Sequence, residues 1–501
     1  MGTAASMRGR VAITNSEIEL KLDVDQSDMA ALTGAITLCD TPAVELEQRA
    51  TYYDTPAQDL RSAGLSLRVR HAGGRYVQTL KADNGASAGL FARSEWEREV
   101  AVDEPALDDP EADSQMPLRT LLPDVVLERI RPAFRVIVTR RQWQLIHQGA
   151  DIELVADRGE VAANGRSWPV CEIELELKSG SPAALFALAR ELGRSMSLRL
   201  GMLAKSERGY RLLAGSDSGA FKPTPLTLPP GTSTAGAFAA IVANCLEQFR
   251  LNEDLLRRDA CPEALHQARV ALRRLRSALS IFRRIVDDGE FARLRDDCRW
   301  LAATLGEARD LDVLMGRSDA AAAERIGPAR DDAYARVMEA LASVRSRWLM
   351  IDLAQWAALG AWRTEPSDVA LPTGPAEAFA AATLDRLRRR VKRRGRDLLA
   401  LSDEQRHRVR IEAKKLRYAT DFFAGLFPGE KAKKRHAAFL DALKKLQGHL
   451  GDLNDLATGP LVLARLGLKG GGQPSDGQRS ALLVKAANAH REFAETRQFW
   501  R

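Results

Sequence analysis

Over about the first 200 residues, apolar side chains alternate with charged ones in run after run. In SEIELKLDV (Ser16–Val24), Glu17, Glu19 and Lys21 alternate with Ile18, Leu20 and Leu22. Successive side chains of a strand point to opposite faces, so two carboxylates and an ammonium share one face and three aliphatics the other. The same rule aligns Ser66, Arg68 and Arg70 in LSLRVR, and Val77, Thr79 and Lys81 in YVQTLK. It aligns Arg93, Glu95, Glu97 and Glu99 in RSEWERE, and Glu172, Glu174, Glu176 and Lys178 in CEIELELK. Further runs lie in RATYYDT, FRVIVTRRQWQLI and DIELVADRGEVAA. Eight regularly spaced strands predict a barrel or sandwich. Helical interruptions are expected near Asp28–Ile36 and over Ser181–Met196, the latter with Ser181 as N-cap and Pro182 as first helical residue.

A sheet with one solvated side is the ordinary reading of a charged face. Glu and Lys are poor strand formers, however, and carboxylates in a row on one face repel unless a cation sits between them. Oxygen ligands suit the hard cations Mg²⁺ and Mn²⁺, and arginines and lysines suit phosphate oxygens. Acids for metal and bases for phosphate, lining a closed barrel, are what metal-dependent phosphoryl transfer needs.

After a stretch rich in Gly, Pro, Ser and Thr, about 214–233, the pattern changes to helical spacing with Ala, Leu and Arg dominant. HQARVALRRLR (His266–Arg276) recurs as HRVRIEAKKLR (His407–Arg417), and LGEARDLDVL from Leu305 recurs as LGDLNDLA from Leu450. Ordered matches at nearly one offset predict a duplicated helical unit. On a helix His266, Arg269, Arg273 and Arg276 fall on one side, with Leu272, Leu275, Leu279 and Phe282 opposite; His407, Arg410, Lys414 and Arg417 repeat the arrangement. Two like-charged stripes call for a polyanion. The acidic motif Glu307, Arg309, Asp310 and Asp312 is expected to hold the basic helices through ion pairs. Arg386–Arg396 is a further basic run.

The formal charge of +7, from 74 Lys+Arg against 67 Asp+Glu, is modest for 501 residues, so distribution matters more than the sum. Five widely spaced cysteines argue against a disulfide framework or structural zinc and for a reducing cytosol. The N-terminus, with 1–12 read as a tail, has no apolar core of a secretory signal, and no run reaches the ~18 apolar residues of a membrane span. The expected location is cytoplasmic, with no membrane partner.

The helical signatures resemble those of the CHAD domain. That resemblance implies an all-α, pseudo-two-fold bundle over 234–501, with repeats at about 234–360 and 376–501, which binds long-chain polyphosphate and would place the protein in association with polyphosphate granules. The implied contacts are His266, Arg269, Arg273, Arg274, Arg276, His407, Arg410, Lys414, Lys415 and Arg417. The strand half resembles the CYTH family, or triphosphate tunnel metalloenzymes, in E-x-E-x-K (Glu17, Glu19, Lys21), TYYDT, SLRVR, TLK, RSEWE, DRG, EIELEL and LAKSERGY, in that order over 13–213. It implies an α+β multidomain chain whose N-terminal part is an eight-stranded antiparallel β tunnel barrel with a few helices.

The CYTH resemblance also implies roles. Glu17, Glu19, Lys21, Glu172 and Glu174 would be catalytic. Metal, as Mg²⁺ or Mn²⁺, would be held among Glu17, Glu19, Glu95, Glu97, Asp157, Glu172, Glu174 and Glu176. Triphosphate would be held by Lys21, Arg68, Arg70, Lys81, Arg93, Lys205 and Arg140 or Arg141. The expected activity is hydrolysis of inorganic tripolyphosphate to pyrophosphate and phosphate. Adenylate cyclisation, hydrolysis of thiamine or another organic triphosphate, and a non-catalytic polyphosphate scaffold are the alternatives. No specific nucleic acid partner is expected.

Overall fold

All eight expected strands are present: β1 (Ser16–Val24), β2 (Val44–Asp54), β3 (Leu65–Ala72), β4 (Arg75–Asp83), β5 (Leu90–Val100), β6 (Arg131–His147), β7 (Ala150–Ala163) and β8 (Arg166–Ser179). A ninth, β9 (Leu198–Leu200), is too short to show a period in the sequence. This computed structural model describes residues 16–34, 41–83, 90–107, 118–215, 219–229, 231–316, 318–363, 374–465 and 476–501. They divide into two units, Met1–Gly219 and Ala220–Arg501.

In the first unit the strand order is β5-β4-β3-β2-β6-β7-β8-β1, and β1 pairs back onto β5, so eight antiparallel strands close a barrel; β9 adds to β1. Closure removes the sheet edges. Both faces of β1 are covered: Leu20 and Leu22 on the outside are fully buried, and on the inside Glu19 and Lys21 are buried too. Outside, Leu65, Leu67, Val69 and Leu80 pack with Leu118, Leu122 and Leu127 from two short helical turns.

The barrel interior changes character along each strand. On β6 the inward series runs Phe134, Val136, Val138, then Arg140, Gln142. On β8 it runs Val170, then Glu172, Glu174, Glu176. At the apolar end Ala50, Tyr52, Phe134, Val136, Val161 and Val170 pack with Tyr210 and Leu212 of helix α2 (Lys205–Leu213). Tyr52 stacks on Phe134 at 4.7 Å, and Tyr210 meets Phe134 edge-on at 5.1 Å. This end is therefore solid, and the cavity occupies the charged end. Helix α1 (Ala183–Leu192) begins one residue later than expected, and the Ser181 hydroxyl accepts from the Ala183 N–H.

The second unit is all-helical among the described residues: α3 (Thr234–Arg258), α4 (Pro262–Val286), α5 (Phe291–Met315), α6 (Ala320–Ala342), α7 (Val344–Leu359), α8 (Ala376–Arg394), α9 (Asp403–Phe423), α10 (Glu430–Arg465) and α11 (Asp476–Glu495). Helices α3–α7 pack as one bundle and α8–α11 as another, and the two signature helices α4 and α9 touch. Phe238, Phe282, Phe379 and Phe423 meet where the bundles join. Phe379 and Phe423 follow Phe238 and Phe282 at the same offset that separates the two signatures. Leu272, Leu275, Leu279 and Phe282 are all buried, as the helical spacing predicts. Within the Pro-rich stretch, Phe221 and Leu228 are buried, and the Phe221 backbone exchanges two hydrogen bonds with the Asn252 side chain, so this part is anchored on α3.

Candidate active site and basic helical face

The charged end of the barrel encloses a cavity of about 560 Å³. Strand parity, not loops, places its lining. Glu19 and Lys21 come from β1, Arg68 and Arg70 from β3, Thr79 and Lys81 from β4, Glu95 and Glu97 from β5, Arg140 from β6, Glu174 and Glu176 from β8, and Lys205 from α2. Glu17 and Arg93 stand opposite each other in the β1–β5 register, but their side chains lie outside the described residues.

Lys21, Glu174, Arg140 and Lys205 of this lining belong to a dense ionic cluster that continues behind it to Asp157 and Glu172. Lys21 Nζ lies 2.9 Å from Glu172 Oε1 and 3.4 Å from Glu19 Oε1, and also donates to Glu174. Lys205 Nζ lies 2.7 Å from Asp157, 2.6 Å from Glu172 and 2.9 Å from Glu174. Arg140 grips Asp157 with two hydrogen bonds, of 2.8 and 2.6 Å. Asp157 and Glu172 are fully buried. Burial by itself would push these carboxyls up, yet the neighbouring cations win. Lys205 and Arg140 hold Asp157 low, Arg208, Lys205 and Lys21 hold Glu172 low, and Lys205, Lys21 and Arg140 hold Glu174 well below the ordinary range. Burial opposes charge on Lys21 as well, but Glu172, Glu174 and Glu19 raise it well above a free lysine.

Ligand oxygens of Asp157, Glu172 and Glu174 all lie within 4.8 Å of one another. A carboxylate-only donor set fits a hard divalent cation. The two ammonium groups now among these oxygens show that the position demands positive charge. Glu19 and Glu176 line the same cavity. Glu95 and Glu97 are elsewhere, each tied to the basic wall: Lys81 Nζ lies 3.1 Å from Glu95, and Arg70 Nη2 3.3 Å from Glu97, which also accepts from Thr79 at 2.9 Å. These two carboxylates hold arginines and lysine in place instead of extending the three-carboxylate group. Arg70 is pushed down by burial, by Arg68 and by Arg140 across the cavity, so these guanidinium groups crowd one another and would be relieved by an anion. Of the two candidates on β6, Arg140 lines the cavity, while Arg141 points the other way, beside Glu45 at 3.8 Å.

Two residues of the cluster escape a reading from the strand motifs. Arg208, buried on α2, reaches Glu172 at 2.7 Å and Asp23 at 3.1 Å. Asp23 continues the parity of Glu19 and Lys21, and Arg208 follows Lys205 by three positions on the same helix face, so both had a signal. The Asp of TYYDT is structural. Buried Asp54 accepts the backbone N–H groups of Thr55, Leu60 and Arg61 and the Tyr210 hydroxyl, tying α2 to β2.

In the helical unit the two signatures are brought together. Arg269 pairs with Asp310 at 2.9 Å over Gly306, and Arg410 lies over Gly451 with Asp455 as its opposite charge. The acidic motif does bridge helices, since Asp312 also binds Arg330 at 2.8 Å and Tyr334 at 2.9 Å. Arg273 donates to the Tyr418 hydroxyl at 2.6 Å. Lys414, partly buried and hemmed by Arg273, Arg410, Arg269 and Arg417, is pushed down to about 7. His407 Nδ1 lies 2.6 Å from Asn454, and burial together with Arg309 lowers His266. Arg417 donates to Gln447 at 3.0 Å, Lys415 turns toward Ser280, and Arg276 faces Arg299. Arg274 does not belong to this face. It is 5% exposed and donates to Gln248 at 2.8 Å and Asn244 at 2.6 Å on α3, with its guanidinium 5.5 Å from the Phe422 ring. One residue beyond Arg273 the helix has turned about 100° into the core.

Residues 15–210 match the model of the CYTH domain, and residues 240–464 match that of the CHAD domain. The chain is a CYTH domain joined to a CHAD domain. An inorganic triphosphatase of Haemophilus influenzae is 29% identical over 201 residues, 39% of this chain and 54% of that one, so the chain spans about half the length of this relative. An uncharacterized protein of Mycobacterium tuberculosis is 28% identical over 448 residues, 80% of this chain and 81% of that one. Among solved structures, the CHAD domain of the plant Ricinus communis is 30% identical with a TM-score of 0.45, covering 55% of this chain and 92% of that one. The CYTH family implies a divalent metal, and the Asp157–Glu172–Glu174 group supplies donors for one. Among the described residues no helix is long and apolar enough to cross a membrane.

Proposed function

We propose that the CYTH domain is a divalent-metal-dependent inorganic triphosphatase that cleaves tripolyphosphate to pyrophosphate and phosphate. One observation carries this reading: a single cavity is lined by the Glu19, Glu174 and Glu176 carboxylates, with buried Asp157 and Glu172 grouped against Glu174, and by the basic side chains of Arg68, Arg70 and Lys81. A triphosphate needs both, a cation to screen its charge and guanidinium groups to bind its oxygens. The similarity to an inorganic triphosphatase supports it as well.

Asp157, Glu172 and Glu174, with Glu19 and Glu176 beside them, would hold Mg²⁺ or Mn²⁺. Bound there, the metal supplies Lewis acidity toward phosphoryl oxygens and a more acidic water. The chain's own groups do the rest. Low carboxyl pKa values keep the donors ionised at neutral pH. Lys21 and Lys205, released from the carboxylates, are placed to bind phosphate oxygens. Arg68, Arg70, Lys81 and Arg140 fix the chain of phosphates; Glu95 and Glu97 fix the first three in turn, and Asp157 fixes Arg140. The solid apolar end excludes water behind the site and limits how deep the anion can enter. Basic groups at the leaving pyrophosphate stabilise the charge that develops there.

The CHAD domain, in the same proposal, binds polyphosphate across Arg269, Arg273, Arg410, Lys414 and Arg417, whose mutual repulsion an anion would relieve. Phosphate release from tripolyphosphate, ATP and thiamine triphosphate, with Mg²⁺ and with Mn²⁺, tests the activity. Glu174→Gln is expected to lower tripolyphosphate turnover at least 100-fold. Undiminished turnover, or cyclic AMP from ATP without phosphate from tripolyphosphate, refutes the reading.

A further inference from the structure

A second basic cavity lies on the second helical repeat. It measures about 1020 Å³ and is formed by α8, the turn after it and α11. None of the His/Arg signature residues lines it. Eight of its lining side chains are Arg or Lys, against one carboxylate, Asp397. Some of these cations are spoken for. Arg388 donates to the carbonyls of Ala494 and Thr496 at 3.0 Å each, and Arg390 has Glu412 at 3.9 Å. Lys392, Arg393, Arg396 and Arg491 pair with no carboxylate among the described residues.

The wall between them is firm and partly apolar. His490 is 7% exposed, its Nε2 is 3.1 Å from the Val391 carbonyl, and Gly395 sits so close that a Cβ there would come 2.5 Å from the ring. Leu398, Leu399, Ala487 and Ala494 complete the lining. The partial negative charge of a helix C-terminus accounts for Lys392 and Arg393 in the last turn of α8. It does not account for Arg389, a turn earlier, for Arg396 beyond the helix, or for Arg491 on α11.

We propose that this groove binds a nucleotide, a ligand carrying several phosphates on a ring-bearing body. Phosphates would meet Arg389, Lys392, Arg393 and Arg491, and the ring would lie against Leu399 and Ala487. The volume is at the upper end of small-ligand sites, and guanidinium planes stack on bases. A bare phosphate chain would leave the apolar lining uncovered. The proposal is independent of the activity assigned to the barrel.

The test is ATP binding to the full-length chain by calorimetry in EDTA, compared with Arg389→Glu/Arg393→Glu and with the milder Arg389→Ala/Arg393→Ala. Both side chains are exposed, and circular dichroism checks the fold. The expected result is loss of one ATP-binding component, at least 10-fold in affinity for the reversal and less for the alanine pair. At that component tripolyphosphate should compete at least 10-fold more weakly than ATP. An unchanged isotherm in folded variants overturns the proposal. So does tripolyphosphate competing as well as ATP, or a single-stranded RNA binding there more tightly than ATP.

Discussion

Lys21→Met would test whether the barrel interior is held by the ionic cluster. Lys21 is 1% exposed and contacts Glu19, Glu172 and Glu174, so its removal leaves negative charge buried. At an effective dielectric of about 20, the 2.9 Å pair with Glu172 corresponds to a gross attraction of about 6 kcal/mol. Desolvation of the lysine offsets much of that, and removing one partner of a buried pair typically costs about 3–5 kcal/mol net. For a unit of this size that is a fall in melting temperature of roughly 6–20 °C.

The pH dependence sharpens the test. In the wild type, Glu172 and Glu174 have lowered folded pKa values, so their contribution is full above the ordinary glutamate value of about 4.3 and is lost as pH falls through the folded values. Without Lys21, burial is less well countered and the carboxyls take up protons at higher pH. The variant's deficit should therefore be largest near neutrality and shrink as pH falls through its carboxyl values. Adding Mg²⁺ at pH 7 should restore part of the loss, because a divalent ion supplies the missing positive charge. Thermal melts from pH 4 to 8, with and without Mg²⁺, read all of this. A loss under about 1 kcal/mol, or parallel wild-type and variant pH profiles, would refute the reasoning.

Three further outcomes are expected. Arg274→Ala should destabilise the helical unit by about 2–4 kcal/mol in urea melts, since the Gln248 and Asn244 side-chain oxygens lose a buried donor; polyphosphate affinity per folded molecule should be unaffected. Gly209→Ala should cost about 1–3 kcal/mol of barrel stability, because a Cβ there comes 2.2 Å from the Phe134 ring, which is itself locked between Tyr52 and Tyr210. Polyphosphate should bind more tightly as pH falls from 8.5 to 6, because Lys414, at about 7, gains its charge over that range; Lys414→Met should flatten the profile, measured by titration calorimetry in matched salt.

Much of this architecture is legible because it rests on period. Alternation in β1, β3, β4 and β8 puts Glu19, Lys21, Arg68, Arg70, Lys81 and Glu174 on one side, and closure makes that side the inside. The recurrence of the His/Arg signature anticipates the equivalence of Arg269 and Arg410, each over its glycine. What period leaves open is what an arriving element will touch. Arg208 comes to Glu172 from α2, a helix separated from β8 by α1 and β9, and Arg274 differs from Arg273 only in facing Asn244 and Gln248.

The sequence by itself determines which residues share a face, because backbone geometry sets the repeat of side-chain direction at two for strands and 3.6 for helices. It thereby determines a charged barrel interior and two matched basic helices. Only the tertiary structure decides that the interior is solid at one end, that Lys21 and Lys205 stand among the three carboxylates, and that burial among arginines pushes Lys414 down. Those outcomes depend on distances between segments remote in the chain, and Coulomb and desolvation energies follow distance and burial, not sequence order.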